Sequence, residues 1–317
     1  MRRETKRYII RKIAIVILTV FVVTLLSFLL MRLSPIDPAT AYVKRNSAIV
    51  TQEQIDKARV MLGLDKPLLL QYFDWVRNAV CMDFGISLGT GNPVANELAK
   101  TVSVTLKVVA LSGIMMSIGA LAVGTLGYLG RNRIWGTLLS LLTMVGISVP
   151  GFYLGTAFID IFALKLGWLS VLGNTGIAKY FPVALCLSVC GICFYGQMLA
   201  SSLEREMEQD YAMYARCRGL SEGYILIFHG LPHAIVDLLP SFAQMLSLCL
   251  ANAAIVERVF SLPGFGYLIV DAVVKRDSPI IHGAVLILAL VLVVLDSFTE
   301  LLQYILRSDM RAKGGRG

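Results

Sequence analysis

Charged residues are scarce in this sequence: 16% of its 317 residues are Asp, Glu, Lys or Arg, whereas 56% are hydrophobic. A water-soluble domain carries about 25% charged residues and fewer than half apolar ones. The composition therefore nearly excludes a soluble enzyme and indicates that lipid surrounds much of the chain. Cysteine is also scarce, with six residues, which is too few for a disulfide framework. We interpret most of the cysteines as small buried apolar residues.

A basic stripe with interleaved aromatic residues is also missing, although the formal net charge is +8. This absence argues against a nucleic-acid partner. The Lys and Arg residues instead cluster at the ends of long apolar runs, and such clustering reports how a membrane protein is oriented in the bilayer.

Six apolar runs are long enough to cross the roughly 30 Å hydrocarbon core of a bilayer as helices. They are residues 13–31, 108–130, 134–159, 180–203, 238–256 and 279–306. The last run contains Asp296 and Glu300, but it is otherwise as apolar as the others. The sequence therefore predicts an all-α integral membrane protein with six transmembrane helices.

The distribution of basic residues predicts that both termini are cytoplasmic. Fifteen Lys and Arg residues then flank the spans on the cytoplasmic side, against five in the two short external loops. No small-residue cleavage site follows the first run, so we expect it to remain as an anchor. The predicted organisation is a basic N-terminus with the first helix (1–31), an external cap (32–107), a five-helix core (108–306) and a cytoplasmic tail (307–317).

The segment 32–107 is predicted to be a small folded cap of short helices outside the membrane. Residues 51–54, Thr-Gln-Glu-Gln, form a capping-box pattern, and Gly63 suits the end of the helix that follows. Pro67 suits the first turn of another helix, and residues 83–93, rich in Gly and Asn, indicate a loop. A cap of this size is large enough to contact a partner or to gate an entrance.

The loop 204–237, between the fourth and fifth predicted spans, is more polar than its surroundings. Gly219 can end a helix by adopting a positive φ, and Ser221 can cap a second helix, with Glu222 well placed near its N-terminus. The loop is therefore predicted to contain two short helices that meet at a turn on the cytoplasmic surface. From composition alone, an ordinary connecting loop is an equally good interpretation.

Ala215, Gly219, Leu231 and Pro232 have a spacing that resembles the cytoplasmic loop of bacterial ABC importer permeases. That pattern reads Glu-Ala-Ala, three residues, Gly, nine residues, Ile, one residue, Leu-Pro. The match is partial, since its Glu, first Ala and Ile are replaced by Met213, Tyr214 and His229.

Other stretches resemble one branch of these proteins, the permeases of peptide and nickel importers, from about residue 10 to residue 306. They are residues 32–38, 62–67, 83–87, 148–152, 210–222, 256–260, 263–266 and 276–279. The chain departs from that branch at Asp296 and Glu300, where similar proteins usually have Asn and Asp, and at residues 307–308, where they usually have Asp-Pro.

The resemblance implies a permease subunit of the bacterial inner membrane that forms half of a translocation path and binds no cofactor. The implied partners are a second homologous permease, two cytoplasmic ATPase subunits that hold ATP and Mg, an external binding protein and membrane lipid. No Walker A pattern occurs in this chain, so ATP hydrolysis is expected on the partners. The residues implied to dock with an ATPase, and to move as a rigid lever, are Tyr211, Ala215, Arg216, Arg218, Gly219, Leu220, Ser221, Glu222, Leu231 and Pro232.

The resemblance leaves the cargo open between nickel or a metal chelate on one side and short peptides on the other. The capped segment that contains Thr51 and the stretch 90–94 look more like the nickel branch. Nickel or a chelate is therefore the preferred expectation for the cargo.

Acidic residues within the predicted spans suggest a second hypothesis. Asp296 and Glu300 lie four residues apart on one helix face, and acids inside a bilayer are functional candidates by default. Asp296 and Glu257 are our candidate pathway residues, with interhelical hydrogen bonding as the other interpretation of Asp296. The alternative function is a proton-coupled secondary transporter that uses Asp296 and Glu300. An intramembrane hydrolase has little support, because no span contains a Ser–His pair or a metal cluster of the usual spacing.

Two groups of potential metal ligands are interpreted as structural, so no metal site is predicted. His229 and His233 have the i, i+4 spacing of a zinc pair, but Pro232 lies between them and the Glu of a metalloprotease motif is absent. Cys186, Cys190 and Cys193 share one face of the fourth span, where cysteine is a common interior residue.

Overall fold

The computed structural model describes residues 2–32, 37–46, 50–167 and 176–314. Within these ranges the regular structure is helical, with one isolated antiparallel bridge between Ile86 and Pro93. The α-helices are α1 (Arg2–Arg32), α2 (Pro38–Asn46), α3 (Gln52–Met61), α4 (Leu68–Val80), α5 (Val94–Leu129), α6 (Ile134–Ser148), α7 (Gly151–Phe158), α8 (Phe181–Met207), α9 (Asp210–Cys217), α10 (Glu222–Ile225), α11 (Leu231–Val259), α12 (Phe265–Lys275) and α13 (Ser278–Gly314). The prediction of an all-α fold is confirmed.

Among the residues that the structure describes, five helical segments are long and apolar enough to cross a membrane, and a sixth span results if one bent helix pair is counted as a single span. The bent pair consists of Ile134–Ser148 and Gly151–Lys165, which meet at 95°. The expected continuous helix over 134–159 is therefore wrong. The break has a local cause, because Pro150 disfavours helical geometry at the preceding residue, and Val149 is extended with φ −87° and ψ 121°.

Several helices extend beyond the predicted spans. Helix α5 begins at Val94, whereas the apolar run begins at 108, and α13 continues to Gly314. A run without charges marks the part that suits the bilayer core, but Glu and Lys are good helix formers, so a helix continues through them. Pro263 and Gly264 interrupt the helices, and α12 begins directly afterwards at Phe265.

The chain divides into two compact units. Unit 1 comprises residues 1–104 and 263–294, and unit 2 comprises residues 105–262 and 295–317. In unit 1 the residues of the predicted cap share a core with α12 and the beginning of α13. That core contains Ala79, Phe84, Val94, Leu98, Phe265, Ala272, Ile280 and Ala284.

Local signals in the predicted cap are confirmed. Gln54 donates its backbone N–H to Thr51 Oγ1 over 3.4 Å, and the Thr51 N–H is donated to Gln54 Oε1 over 3.3 Å, which completes the capping box. Gly63 follows α3 with φ +63°. Pro67 stands at the N-cap of α4, immediately before its first turn.

Asp277 fastens the loop 83–93 of unit 1 to the beginning of α13. Its carboxylate is 2% exposed and accepts hydrogen bonds from Ser87 Oγ at 2.6 Å, from the Gly89 N–H at 2.8 Å and from the Leu88 N–H at 3.2 Å. A buried carboxylate is stable only when such donors compensate for its lost hydration. We call these contacts the Asp277 clasp.

Candidate coupling surface

The turn between α9 and α10 has the geometry predicted from its residues. Gly219 adopts φ +82° between the two helices, a conformation that glycine reaches without the Cβ penalty of other residues. Ser221 caps α10 by accepting the Tyr224 N–H at Oγ over 3.4 Å. We call α9, this turn and α10 the elbow.

A bidentate ion pair closes the elbow. The Arg216 Nε donates to Glu222 Oε1 over 2.6 Å, and its Nη2 donates to Oε2 over 3.2 Å. Two parallel bonds fix the orientation of both groups, which a single contact does not. The guanidinium of Arg216 therefore joins α9 to α10 within this chain, whereas the sequence assigned it to a partner.

The inner face of the elbow packs into a buried cluster of unit 2. Ala212 is fully buried and Ala215 is 6% exposed. They share the cluster with side chains from the ends of α5, α8 and α11. Helix α10 continues directly into α11 through the π-helical residues Leu226–Gly230, so the elbow packs against α5 and α8 and is continuous with α11. The remaining members of the cluster are Tyr128, Leu199, Leu203, Met207, Ile225, Leu226 and Ala234.

The other predicted coupling residues divide between this cluster and the surface. Tyr211 and Leu231 are partly buried against the cluster. The exposed ones are Arg216, Arg218, Gly219, Leu220, Ser221, Glu222 and Pro232. The structure thus brings the ten residues to one region, with a packed inner side and an open outer side.

The outer side of this region carries large apolar side chains that sequence reasoning did not select. Met213 is 63% and Tyr214 is 74% exposed. Tyr224 on α10 and Phe228 on the π-helical segment Leu226–Gly230 that continues it lie with ring centroids 4.6 Å apart. We call these four residues the exposed apolar face. Exposed apolar groups of this size mark surfaces that contact a partner. The signal available in the sequence was the helical period, since Met213 and Tyr214 lie between Ala212 and Ala215.

Tyr211 anchors the beginning of α9. Its hydroxyl donates to Glu206 Oε2 over 2.7 Å, and burial together with this carboxylate raises the pKa of Tyr211 well above its ordinary value. The ring stacks on His233 at 5.1 Å and meets the edge of His229 at 6.5 Å. The two histidines thus flank an aromatic ring, in agreement with their structural interpretation. In the described part of the chain, no group of three or more His, Cys, Asp or Glu side chains is placed to hold a metal ion.

Arg131, at the turn between α5 and α6, is a further residue that the sequence did not reveal. Its guanidinium lies 4.2 Å from the centroid of the Tyr128 ring, and its Nε is 3.8 Å from Glu204 Oε1. Tyr128 belongs to the buried cluster behind the elbow. Arg131 therefore links the α5–α6 turn to the helices on which the elbow rests.

The candidate pathway acids occupy different environments. Glu257 on α11 is fully buried and accepts a short hydrogen bond from the Thr105 hydroxyl of α5. Asp296 on α13 is exposed in the isolated chain, and Glu300, one turn further, is partly buried. Glu257 thus joins two helices of unit 2.

Comparison with known proteins identifies the family. Residues 108–312 match the model of the binding-protein-dependent transport system inner membrane component, and residues 5–108 match the model of the N-terminal part of such membrane components. The chain belongs to this family. The permease is therefore an inner-membrane subunit of an ABC importer and is not itself catalytic. An importer of this kind includes a partner permease, ATPase subunits and a binding protein.

Curated relatives cover the permease almost completely. It is 32% identical over 307 residues to the glutathione transport system permease protein GsiC of Escherichia coli strain K12, which covers 96% of this chain and 99% of the relative. The GsiC protein of Shigella boydii serotype 4 has the same identity and coverage.

A solved structure supports the fold. A chain of the MetNI methionine ABC transporter, in an inward-facing conformation, matches with a TM-score of 0.57 and 18% identity, covering 66% of the permease and 96% of that chain. At this identity the similarity concerns the fold alone. The predicted permease fold and inner-membrane location are confirmed.

Proposed function

We propose that the permease couples ATP hydrolysis by two cytoplasmic partner ATPases to the uptake of short peptides. It forms half of the translocation path together with a second homologous permease, and an external binding protein delivers the cargo. The observation that carries this proposal is the elbow, which presents an exposed apolar face on one side and is packed into the helices of unit 2 on the other.

The elbow has the construction that a mechanical lever requires. The Arg216–Glu222 pair and the Ser221 cap hold α9 and α10 at a fixed angle. Ala212 and Ala215 transmit a displacement of the elbow to α8 and α11, because close-packed side chains shift together rather than compress. Closure of the ATPase dimer would therefore tilt these helices and switch the path between inward-open and outward-open states.

The proposed orientation places residues 204–237 and both termini in the cytoplasm. It rests on the excess of Lys and Arg on these flanks. A cysteine introduced at Tyr214 should react with an impermeant thiol reagent in inside-out vesicles and should be protected in intact spheroplasts. Cys81 and Cys217, the two exposed cysteines of the described residues, would first be replaced by Ser. Labelling in intact spheroplasts would contradict the orientation.

The proposed cargo is a short peptide, because the similar GsiC proteins are glutathione transport permeases. The residues that favoured nickel have local roles instead. Thr90 Oγ1 and the Asn92 side-chain amide both donate to Glu97 Oε1, and Thr51 caps α3. These contacts account for the residues without reference to a cargo, so nickel or a chelate remains a prediction that the structure gives no further reason to prefer.

Reconstitution tests the proposed function. The permease would be placed in vesicles with its partner permease, the ATPase subunits and the binding protein, and the uptake of labelled tripeptide and of nickel would be measured with and without ATP. We expect uptake of tripeptide that depends on ATP. Uphill transport by the isolated permease without nucleotide would refute this function and would support the proton-coupled alternative with Asp296 and Glu300.

A further inference from the structure

Helix α4 of unit 1 leaves a row of large apolar side chains uncovered. Leu69 is 71%, Phe73 is 63% and Val80 is 79% exposed. With 3.6 residues per turn, these three positions fall within about 40° of one another around the helix, so they form a single row. We call these three residues the α4 row. Exposed apolar side chains of this size, grouped on one face, mark a surface that a partner or a membrane covers.

The α4 row lies between a buried face and a more polar face of the same helix. Tyr72 and Ala79, on one side of the row, are buried in unit 1. Arg77 and Asn78, on the other side, are exposed, together with Leu70. A helix that lies in the surface of a bilayer has this division, because its apolar side faces the acyl chains and its polar side faces the headgroups and water.

The buried face of α4 packs against α1 within the part of α1 that suits a bilayer. The centroid of the Tyr72 ring lies 5.5 Å from that of Phe28 and 6.3 Å from that of Phe21, and the Tyr72 hydroxyl is 3.0 Å from Thr24 Oγ1. The apolar span of α1 is Ile10–Leu29. At 1.5 Å per residue, Thr24 is about 7.5 Å inside the end of this span. Tyr72 therefore reaches below the level at which α1 leaves the hydrocarbon core.

A second span gives the same level for α4. The rings of Trp75 and His282 have centroids 5.6 Å apart, and His282 Nδ1 is 3.3 Å from Ser27 Oγ of α1. His282 lies in the first turns of α13, whose apolar span begins at Ser278. The end of one span and the beginning of another thus meet at α4, which places the helix at a membrane surface. Trp and Tyr are enriched at this level, where an amphipathic ring has both apolar and polar surroundings.

The α4 row is connected to an exposed apolar side of α1. Phe21, Leu26 and Leu29 are exposed within the span of α1, where acyl chains are the surroundings of a transmembrane helix. Tyr72 adjoins Phe21 of this side and Phe73 of the row, with ring centroids 6.3 Å and 6.0 Å apart. Three adjoining rings therefore lead from the lipid-facing side of α1 to the α4 row.

We propose that α4 lies in the surface of the bilayer and that lipid covers the α4 row. The row contacts the acyl chains of the leaflet at the end of α1, which is the outer leaflet in the proposed orientation, while Arg77 and Asn78 face headgroups and water. The sequence predicted that this segment belongs to a cap outside the membrane. The polar face is then the part of α4 that is left for an external partner. This inference depends on neither the cargo nor the lever.

Spin labels on single cysteines would test the position of α4. Full-length permease with Cys81→Ser and Cys217→Ser is labelled and then assembled with its partner permease and the ATPase subunits in lipid nanodiscs. Relaxation of the label by oxygen, which concentrates in lipid, is compared with relaxation by a water-soluble chromium chelate. We expect oxygen to be the more effective reagent along the row and the chelate on the polar face. The variants of the row are Leu69→Cys, Phe73→Cys and Val80→Cys, and the matched controls on the polar face are Arg77→Cys and Asn78→Cys.

Two results would overturn the proposal. If the chelate relaxes labels on the row as strongly as labels on the polar face, α4 stands in water. If neither oxygen nor the chelate reaches the row, a protein covers it, and a repeat with and without the binding protein shows which one. The three positions of the row are measured independently, so a single variant that fails to assemble does not remove the test. ATP-driven uptake is measured in parallel: uptake with the row in water refutes this inference alone, whereas a row in lipid without uptake supports it and counts against the proposed function.

Discussion

Replacement of Gly219 by Ala provides the sharpest test of the elbow. Gly219 has φ +82°, and a Cβ built on it meets no heavy atom within 4 Å. Steric crowding by neighbours is therefore not the obstacle, and the cost arises from the backbone alone. A residue other than Gly in this left-handed region costs about 1–2 kcal/mol. That cost should lower the population of the observed elbow geometry, relative to other conformations of this turn, by roughly 5- to 30-fold.

Gly223 offers a matched control four residues away. It lies in α10, its φ is not positive, and a Cβ there also meets open space. Ala is a better helix former than Gly by about 1 kcal/mol, so Gly223→Ala should leave the elbow unchanged or slightly more stable. Gly219→Asn should fall between the two variants, since Asn tolerates the left-handed region better than Ala does.

ATP-driven uptake by the complete transporter and thermal unfolding of the full-length permease are the measurements. Gly219→Ala should reduce uptake and lower the unfolding midpoint relative to Gly223→Ala. Gly219→Trp should abolish uptake with normal membrane insertion, because it adds bulk at the outer side of the elbow. Equal uptake by Gly219→Ala and Gly223→Ala would refute the claim that the positive φ at Gly219 holds the lever in shape.

Three further substitutions test other parts of the permease. Asp277→Ala removes the acceptor of the clasp and should destabilise the full-length protein by about 1–3 kcal/mol in thermal unfolding, whereas an unchanged midpoint would mean that the clasp contributes nothing. Thr105→Val removes the hydroxyl that donates to buried Glu257 and should destabilise by a similar amount; Ser103→Ala, on an exposed position of α5, is its control. Asp296→Asn should leave ATP-driven uptake within about twofold, and a collapse of uptake would instead support proton coupling.

The parts of the fold that the sequence predicted are those governed by neighbouring residues. The capping box at Thr51 involves four consecutive residues, and the end of α9 and the cap of α10 depend on Gly219 and Ser221. In each case the geometry follows from one side chain and the backbone within a few positions. The lengths of the apolar runs likewise predicted the spans, because a helix must be apolar over the full thickness of the hydrocarbon core to cross it.

The parts that the sequence did not predict depend on distant residues or on a signal other than the length of an apolar run. Asp277 and Ser87 are 190 positions apart, and no local pattern pairs them. The Arg131 contact with Tyr128 is short in sequence, but its importance arises from the buried cluster, which forms only when α5, α8 and α11 pack together. The bend between α6 and α7 could have been predicted from Pro150, because proline interrupts a helix regardless of the hydrophobicity of its neighbours.

The structure of the elbow offers a physical reason why some residues match the importer pattern and others depart from it. Ala215 and Gly219 match the pattern, and they are the positions where the permease itself requires a small buried side chain and a positive φ. Met213 and Tyr214 depart from it, and both are exposed. The internal geometry of the elbow therefore accounts for Ala215 and Gly219, whereas the surface of a partner would bear on Met213 and Tyr214. If an ATPase docks on the elbow as proposed, its cleft should be apolar where it meets Met213 and Tyr214, whereas a permease with Glu-Ala at these positions would present a carboxylate and a methyl group.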